Sequence, residues 1–467
     1  MLFNSWQFGL FFPLVFGLYW GLPQRFRLPV LLVASYWFYM SWNVKYVVLI
    51  LFTTIISYLS AIMIERFPRT RKLVLLGALV SCLGVLFVFK YFNFFAGAVA
   101  DLAAMFSLPL HPMTLRLLLP VGISFYTFQT LGYVIDVYRG DVKAERNFWA
   151  YAAFISYFPQ LVAGPIERTR NLLPQIKAHH EFDYAQAVYG VKLMAWGFFK
   201  KMAVADVLAV YVDRVFENVY SFRGFALVLA VFFFTVQIYC DFSGYSDIAR
   251  GCSKVLGIEL MENFRSPYFS ASIREFWSRW HISLSTWFRD YVYIPLGGNR
   301  CSKLRRSINL MLTFIVSGLW HGANWTFVVW GAVHGLGQVM ENALGLKREP
   351  QGFERAVRVM CTFGFVMLAW VFFRAQTLGE AWYVFSSIFC HLANFADVKA
   401  VGGGKKAMLA IISVAAVYDF VSLKTDVISR ITSYRNLPLR YCVYLGLTTA
   451  LLFLRPAGNT EFVYFQF

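Results

Sequence analysis

Three histidines in the second half of the chain have the residue type that acid–base chemistry needs. His281 stands in Trp280-His281-Ile282-Ser283-Leu284-Ser285-Thr286-Trp287-Phe288-Arg289-Asp290-Tyr291, and His321 in Gly318-Leu319-Trp320-His321-Gly322-Ala323-Asn324-Trp325. His334 stands in Gly331-Ala332-Val333-His334-Gly335. An unperturbed imidazole titrates near neutrality, which suits a general base. Ionisable groups set among apolar runs are costly and mark function by default. The plainer alternative is a histidine that hydrogen-bonds between helices, and for His321 and His334 the residues alone leave both readings open. Glycines four apart flank each of them and would let two helices approach closely. His281 opens a helix-like run in which Trp280, Ser283 and Trp287 share a face, and an amphipathic interfacial helix is its plainer reading. His111, His179, His180 and His391 read as structural or solvated.

Several catalytic patterns are absent from the sequence. It has no G-x-S-x-G elbow, no H-E-x-x-H pair and no G-x-G-x-x-G loop, which argues against a serine hydrolase, a metalloprotease or a nicotinamide enzyme. No metal site is expected. Gly402-Gly403-Gly404-Lys405-Lys406 reads as a flexible loop without the spacing of a phosphate-binding loop. A histidine base with no obvious protein nucleophile fits direct transfer, in which a hydroxyl gives up its proton and attacks an acyl thioester.

Helices in a membrane must position these groups. The 467 residues are 59% hydrophobic and only 15% charged, whereas soluble domains run at about 45–50% apolar and about 25% charged. Apolar runs recur along the whole chain, so the reading is an all-α integral membrane protein. Candidate spans are 8–20, 28–40, 46–64 and 73–95, four or five more between 115 and 344, then 357–373, 408–421 and 438–454. Phe158-Pro159-Gln160-Leu161-Val162-Ala163-Gly164-Pro165 reads as a segment that enters the apolar phase and turns back.

The net charge of +18 is assigned to cytoplasmic loops, not to nucleic acid. Basic clusters near Arg66–Lys72, Arg139–Arg146, Arg168–Lys177 and Arg274–Arg306 then lie on the cytoplasmic side. About twelve passes with both termini outside are consistent with this. Met1-Leu2-Phe3-Asn4-Ser5 lacks a positive n-region, so the first run is expected to be a retained span. Cys82, Cys240 and Cys361 read as small buried thiols, not disulfide partners. One polytopic domain is expected over 1–467, with N-terminal spans in 1–114, a catalytic core in 115–345 and C-terminal spans in 346–467.

The run Arg279–Tyr291, with Pro295-Leu296-Gly297-Gly298-Asn299 and Gly318-Leu319-Trp320-His321-Gly322, resembles the membrane-bound O-acyltransferase family, in particular its bacterial alginate O-acetylation branch. Further similarity lies at Pro120–Gln129, Phe158–Ile166, Asp241-Phe242-Ser243-Gly244-Tyr245-Ser246-Asp247 and the aromatic ending Phe462–Phe467. The resemblance implies about 11–12 transmembrane helices with re-entrant or interfacial helices, forming a ring around a central funnel. It implies that His321 is the catalytic histidine and His281 the second characteristic position, which is asparagine in other branches.

Trp320, Asn324, Trp280, Ser283, Arg289 and His334 are expected at substrate contacts, and Arg274 and Arg279, with Arg289, are expected to attract an anionic donor by their charge. Acetyl-CoA is the implied donor, with no resident cofactor. An extracytoplasmic esterase-like protein and a polysaccharide acceptor are the implied partners, in a bacterial cytoplasmic membrane. D-alanyl transfer to a wall polymer, a transporter without chemistry and a scaffold for an exporter are the rival readings.

Overall fold

A computed structural model describes residues 1–467 apart from 109, 346–349, 402–403, 434–436, 455–461 and 464–467. Part of the glycine loop at 402–406 and most of the aromatic ending therefore lie outside the described residues. Every regular element among those described is helical. Among the described residues four helices, Val44–Arg66, Arg71–Met105, Phe225–Val255 and Gly352–Arg374, are long and apolar enough to cross a membrane.

The helix Trp6–Gly21 shows why these elements belong in lipid. It buries Phe8, Phe11, Phe12, Val15 and Tyr19 while exposing Leu10, Leu14 and Leu18 at four-residue spacing. A water-facing helix would carry polar residues on that second face. In the helix Val47–Arg66 polar side chains are satisfied locally: Thr54 Oγ1 donates to the Ile50 carbonyl and Ser57 Oγ to that of Thr53, both across 2.6 Å. The sequence reading placed a fourth span at 73–95, but Arg71–Met105 is one run of 35 residues. A π-helical turn at Phe87–Tyr91, inside the expected span, leaves the run unbroken, and it continues through Phe92–Met105.

The chain forms two compact units, one of Met1–Val191 with Ala249–Met261 and one of Lys192–Ile248 with Glu262–Phe467. In the first, the expected re-entrant stretch is a short helix, Phe158–Leu161, followed by a fully buried turn. Gln160 Nε2 donates to Gln129 Oε1 across 2.9 Å and to the Phe154 carbonyl across 3.0 Å. These amides answer backbone that has left the helical ladder.

The second unit holds all three motif histidines. Buried lysines pair with carboxylates there: Lys200 meets Asp247, and Lys201 meets Asp206 and Asp241, at 2.7–2.8 Å. Asp241 and Asp247 are the ends of the Asp-Phe-Ser-Gly-Tyr-Ser-Asp motif, which these ion pairs anchor in the apolar interior. Cys82 and Cys240 are buried as expected. Cys361 departs from that expectation and is exposed, because its helix Gly352–Arg374 buries only one face.

Candidate active site

Local capping sets up the turn that carries His281. Ser272 caps the helix Ile273–Arg279 by accepting from the Glu275 N–H across 3.0 Å, while Glu275 reaches back to the Ala271 N–H across 2.7 Å. This reciprocal arrangement is a close variant of the capping box. The helix ends at Trp280, and His281 takes a left-handed backbone, φ 43°, as the N-cap of the next helix, Ile282–Phe288. The chain thereby turns, and the His281 side chain goes inward with none of its surface exposed.

Asn263 receives this turn. Its backbone carbonyl accepts from the Ile282 N–H across 3.0 Å. Its side-chain Oδ1 lies 3.2 Å from the Ser283 amide nitrogen, 2.9 Å from Ser283 Oγ and 3.1 Å from His281 Nδ1. Phe242, from the Asp-Phe-Ser motif, meets the imidazole edge-on at 4.6 Å between centroids. The sequence reading did not single out Asn263, which lies 18 residues before His281 and belongs to no spaced pattern with it.

His321 is the last residue of the helix Lys303–His321 and is 4% exposed. Aromatic rings surround it: Trp320 at 4.9 Å, Trp330 at 5.1 Å and Phe373 at 5.3 Å. Trp320 also stands 6.2 Å from the His281 ring, so one indole adjoins both imidazoles. The expected glycine seam brings this helix against Trp325–Ala343. A Cβ on Gly318 would come within 2.2 Å of the Phe327 carbonyl oxygen, and one on Gly331 within 2.3 Å of that of Phe314.

His334 has a different setting. Trp277 donates its indole N–H to His334 Nδ1 across 3.3 Å. An indole nitrogen only donates, so Nδ1 accepts and the neutral ring carries its proton on Nε2. Trp330 at 4.9 Å and Phe365 at 5.6 Å help to enclose the ring, which is fully buried.

A cavity of about 660 Å³ opens beside these helices, within the roughly 300–1,000 Å³ usual for small-molecule sites. Arg274, Arg289 and Arg306 give it positive charge, and Trp277, Phe314 and Ser317 line its buried part. Ser317 lies one helical turn before His321, on the same face. In the sequence Arg306 reads only as part of a cytoplasmic basic cluster and Ser317 has no role; the signal for Ser317 is its four-residue spacing from His321.

Other expected site residues have structural engagements. Arg279 pairs with Glu275 at 2.7 Å, and Arg355 shares that carboxylate. Asn324 caps the helix Trp325–Ala343 by accepting from Thr326 N–H across 3.1 Å, and donates to the Gln376 carbonyl across 2.8 Å. Trp280 is fully buried, 5.0 Å from Trp370 and 5.1 Å from Phe264. Among the described residues no three His, Cys, Asp or Glu side chains gather as metal ligands.

Residues 145–378, which include all three histidines, match MBOAT, the membrane-bound O-acyltransferase family. The chain is 43% identical over 386 residues to the Probable alginate O-acetylase AlgI of Pseudomonas syringae pv. tomato, covering 81% of this chain and 73% of that protein. It is 34% identical over 442 residues to the Peptidoglycan O-acetyltransferase of Helicobacter pylori, covering 85% and 82%. To the Teichoic acid D-alanyltransferase of Bacillus subtilis it is 30% identical over 223 residues, covering 46% and 56%.

Proposed function

The chain belongs to the membrane-bound O-acyltransferase family, and from that premise we propose that it passes acetyl from cytoplasmic acetyl-CoA toward an exported or cell-surface polysaccharide. It is a membrane O-acetyltransferase. Both relatives named for O-acetylation act on polysaccharides by their names, and each is covered over more than two thirds of its length. The D-alanyltransferase relatives are less similar, 28–30% identical over 46–56% of this chain, which favours acetyl.

The cavity carries the donor part of this reading. Its three arginines suit the phosphates of a CoA thioester, and Ser317 brings its wall to within one helical turn of His321. In the proposed step His321 accepts the proton of the attacking hydroxyl. The hydroxyl oxygen bonds to the acetyl carbon, the carbon–sulfur bond breaks, and the CoA thiolate leaves with the proton returned from His321. His281 is assigned to orienting the thioester. The acceptor hydroxyl belongs either to the sugar or to an esterase-like partner outside a bacterial cytoplasmic membrane.

Purified protein in detergent with radiolabelled acetyl-CoA tests the reading. Label release or transfer by wild type, lost in His321→Ala while the protein stays folded, is the expected result. Near-normal turnover in His321→Ala would remove His321 from the chemistry. A wild type that leaves acetyl-CoA intact, even with polysaccharide and partner supplied, would return the transport reading, since detergent abolishes any gradient.

A further inference from the structure

We propose that Asn263 is a positioning residue that fixes the tautomer of His281, holding its proton on Nδ1 and leaving the lone pair on Nε2. The Ser283 backbone N–H can only donate, and it points at one side-chain atom of Asn263 from 3.2 Å. That atom is therefore the carbonyl oxygen, which settles the amide orientation by chemistry. The other end agrees, because Asn263 Nδ2 then donates to Ser246 Oγ across 3.3 Å.

The same oxygen lies 3.1 Å from His281 Nδ1. Two lone pairs facing each other at that distance repel, so Nδ1 carries the hydrogen. The competing arrangement would have Ser283 Oγ donate to Nδ1, but that separation is 3.5 Å against 2.9 Å to the Asn263 oxygen. The hydroxyl therefore donates to the amide. Burial keeps His281, which lies in the loop between spans, in its neutral form by lowering its pKa to about 3, so the ring has a tautomer to fix.

Asn263 also performs a second task. A helix N-cap side chain normally accepts from the N–H two or three residues on. His281 is the N-cap here, yet the amide of Ser283 is capped by Asn263, from 20 residues upstream. Asn263, Ser283, Ser246 and His281 are all within 1% of complete burial, so water cannot substitute for the oxygen. His334 is held the opposite way by Trp277, which makes its Nδ1 an acceptor. Two histidines of one motif set are thus held in opposite tautomers by neutral partners.

The test uses the full chain, labelled with nitrogen-15 histidine, in lipid bilayers. His281 is assigned by the signal lost in His281→Asn. Nitrogen shifts should report an Nδ1-protonated ring in wild type and in Asn263→Asp, and an Nε2-protonated or mixed ring in Asn263→Leu. An Nε2-protonated ring in wild type, or no change in Asn263→Leu, overturns the proposal.

A kinetic arm rests on the acetyl-transfer reading. Asn263→Leu should lower kcat by roughly 10–100-fold, as loss of an orienting partner commonly does, and add no further loss in the His281→Asn background. In Asn263→Asp the pH profile should move upward, because a carboxylate favours the imidazolium. Additive losses would show that Asn263 acts independently of His281. If wild type does not turn over acetyl-CoA at all, the functional reading fails while the spectroscopic result still decides the tautomer. Should Asn263→Leu not fold, the wild-type and Asn263→Asp spectra decide it.

Discussion

Gly318 and Gly331 face each other so closely that a Cβ on either would lie 3.3 Å from the Cα of the other. The helix ending in His321 can approach its neighbour this far only because both positions lack a side chain, and the approach brings Trp330 to 5.1 Å from His321. The seam is thus part of the site.

Gly318→Ala and Gly331→Ala should each lower thermal stability in detergent, by an amount consistent with about 1–3 kcal/mol of overpacking. Gly364→Ala, in a helix with open space where its Cβ would go, should be neutral or stabilising because alanine favours helix. A melting curve for each variant checks the contrast; equal effects at all three would mean that propensity, not the seam, governs.

Arg274, Arg289 and Arg306 surround the proposed entry for the donor. Replacing all three with glutamine should raise KM for acetyl-CoA by roughly tenfold and leave kcat within about twofold, the pattern of lost uniform binding. Raising ionic strength should weaken wild type toward the variant, since exposed charges are screened. Steady-state kinetics at two salt concentrations measure both effects.

Trp277→Phe should destabilise the protein by about 1–3 kcal/mol, because it strands a buried acceptor on His334. The double variant Trp277→Phe/His334→Phe should recover part of that loss, with both polar partners gone. Thermal unfolding of the single and double variants tests this. A His334→Phe enzyme with unchanged KM for donor and acceptor would mark His334 as structural, not as a substrate contact.

Glu167 follows the buried turn at 158–165 and lies outside the spans; burial raises its pKa to about 7, against favourable bonds from Asn171 and the Met261 N–H. Between its unfolded value, near 4.5, and about 7, the folded protein binds more protons than the unfolded one. Stability should therefore fall as pH rises through that window and level off above it. Glu167→Gln should flatten the dependence, which melting temperatures at pH 5, 6, 7 and 8 will show.

Much of this was legible in the sequence where the information is local. The apolar runs and the glycine spacing around His321 and His334 lie within a few residues of what they determine. The fourth span runs past its expected end at 95 because the alanine-rich stretch that follows Phe95 is less apolar yet favours helix. The partners of the histidines were not legible. Asn263 reaches His281 over 18 residues and Trp277 reaches His334 over 57, and the type of an asparagine or tryptophan does not announce which ring it will meet. Arg279 and Asn324 were assigned to ligands on their types; the structure gives one an ion pair and the other a helix cap.

The left-handed backbone at position 281 narrows the alphabet there before any chemistry is considered. A φ of 43° is uncommon for a residue with a Cβ, and asparagine, aspartate and histidine bear it better than most. A variant such as His281→Ala would mix the loss of an imidazole with backbone strain, whereas His281→Asn keeps the turn and removes only the ring. The two residues that the family resemblance associates with this position, histidine and asparagine, are both tolerant of it.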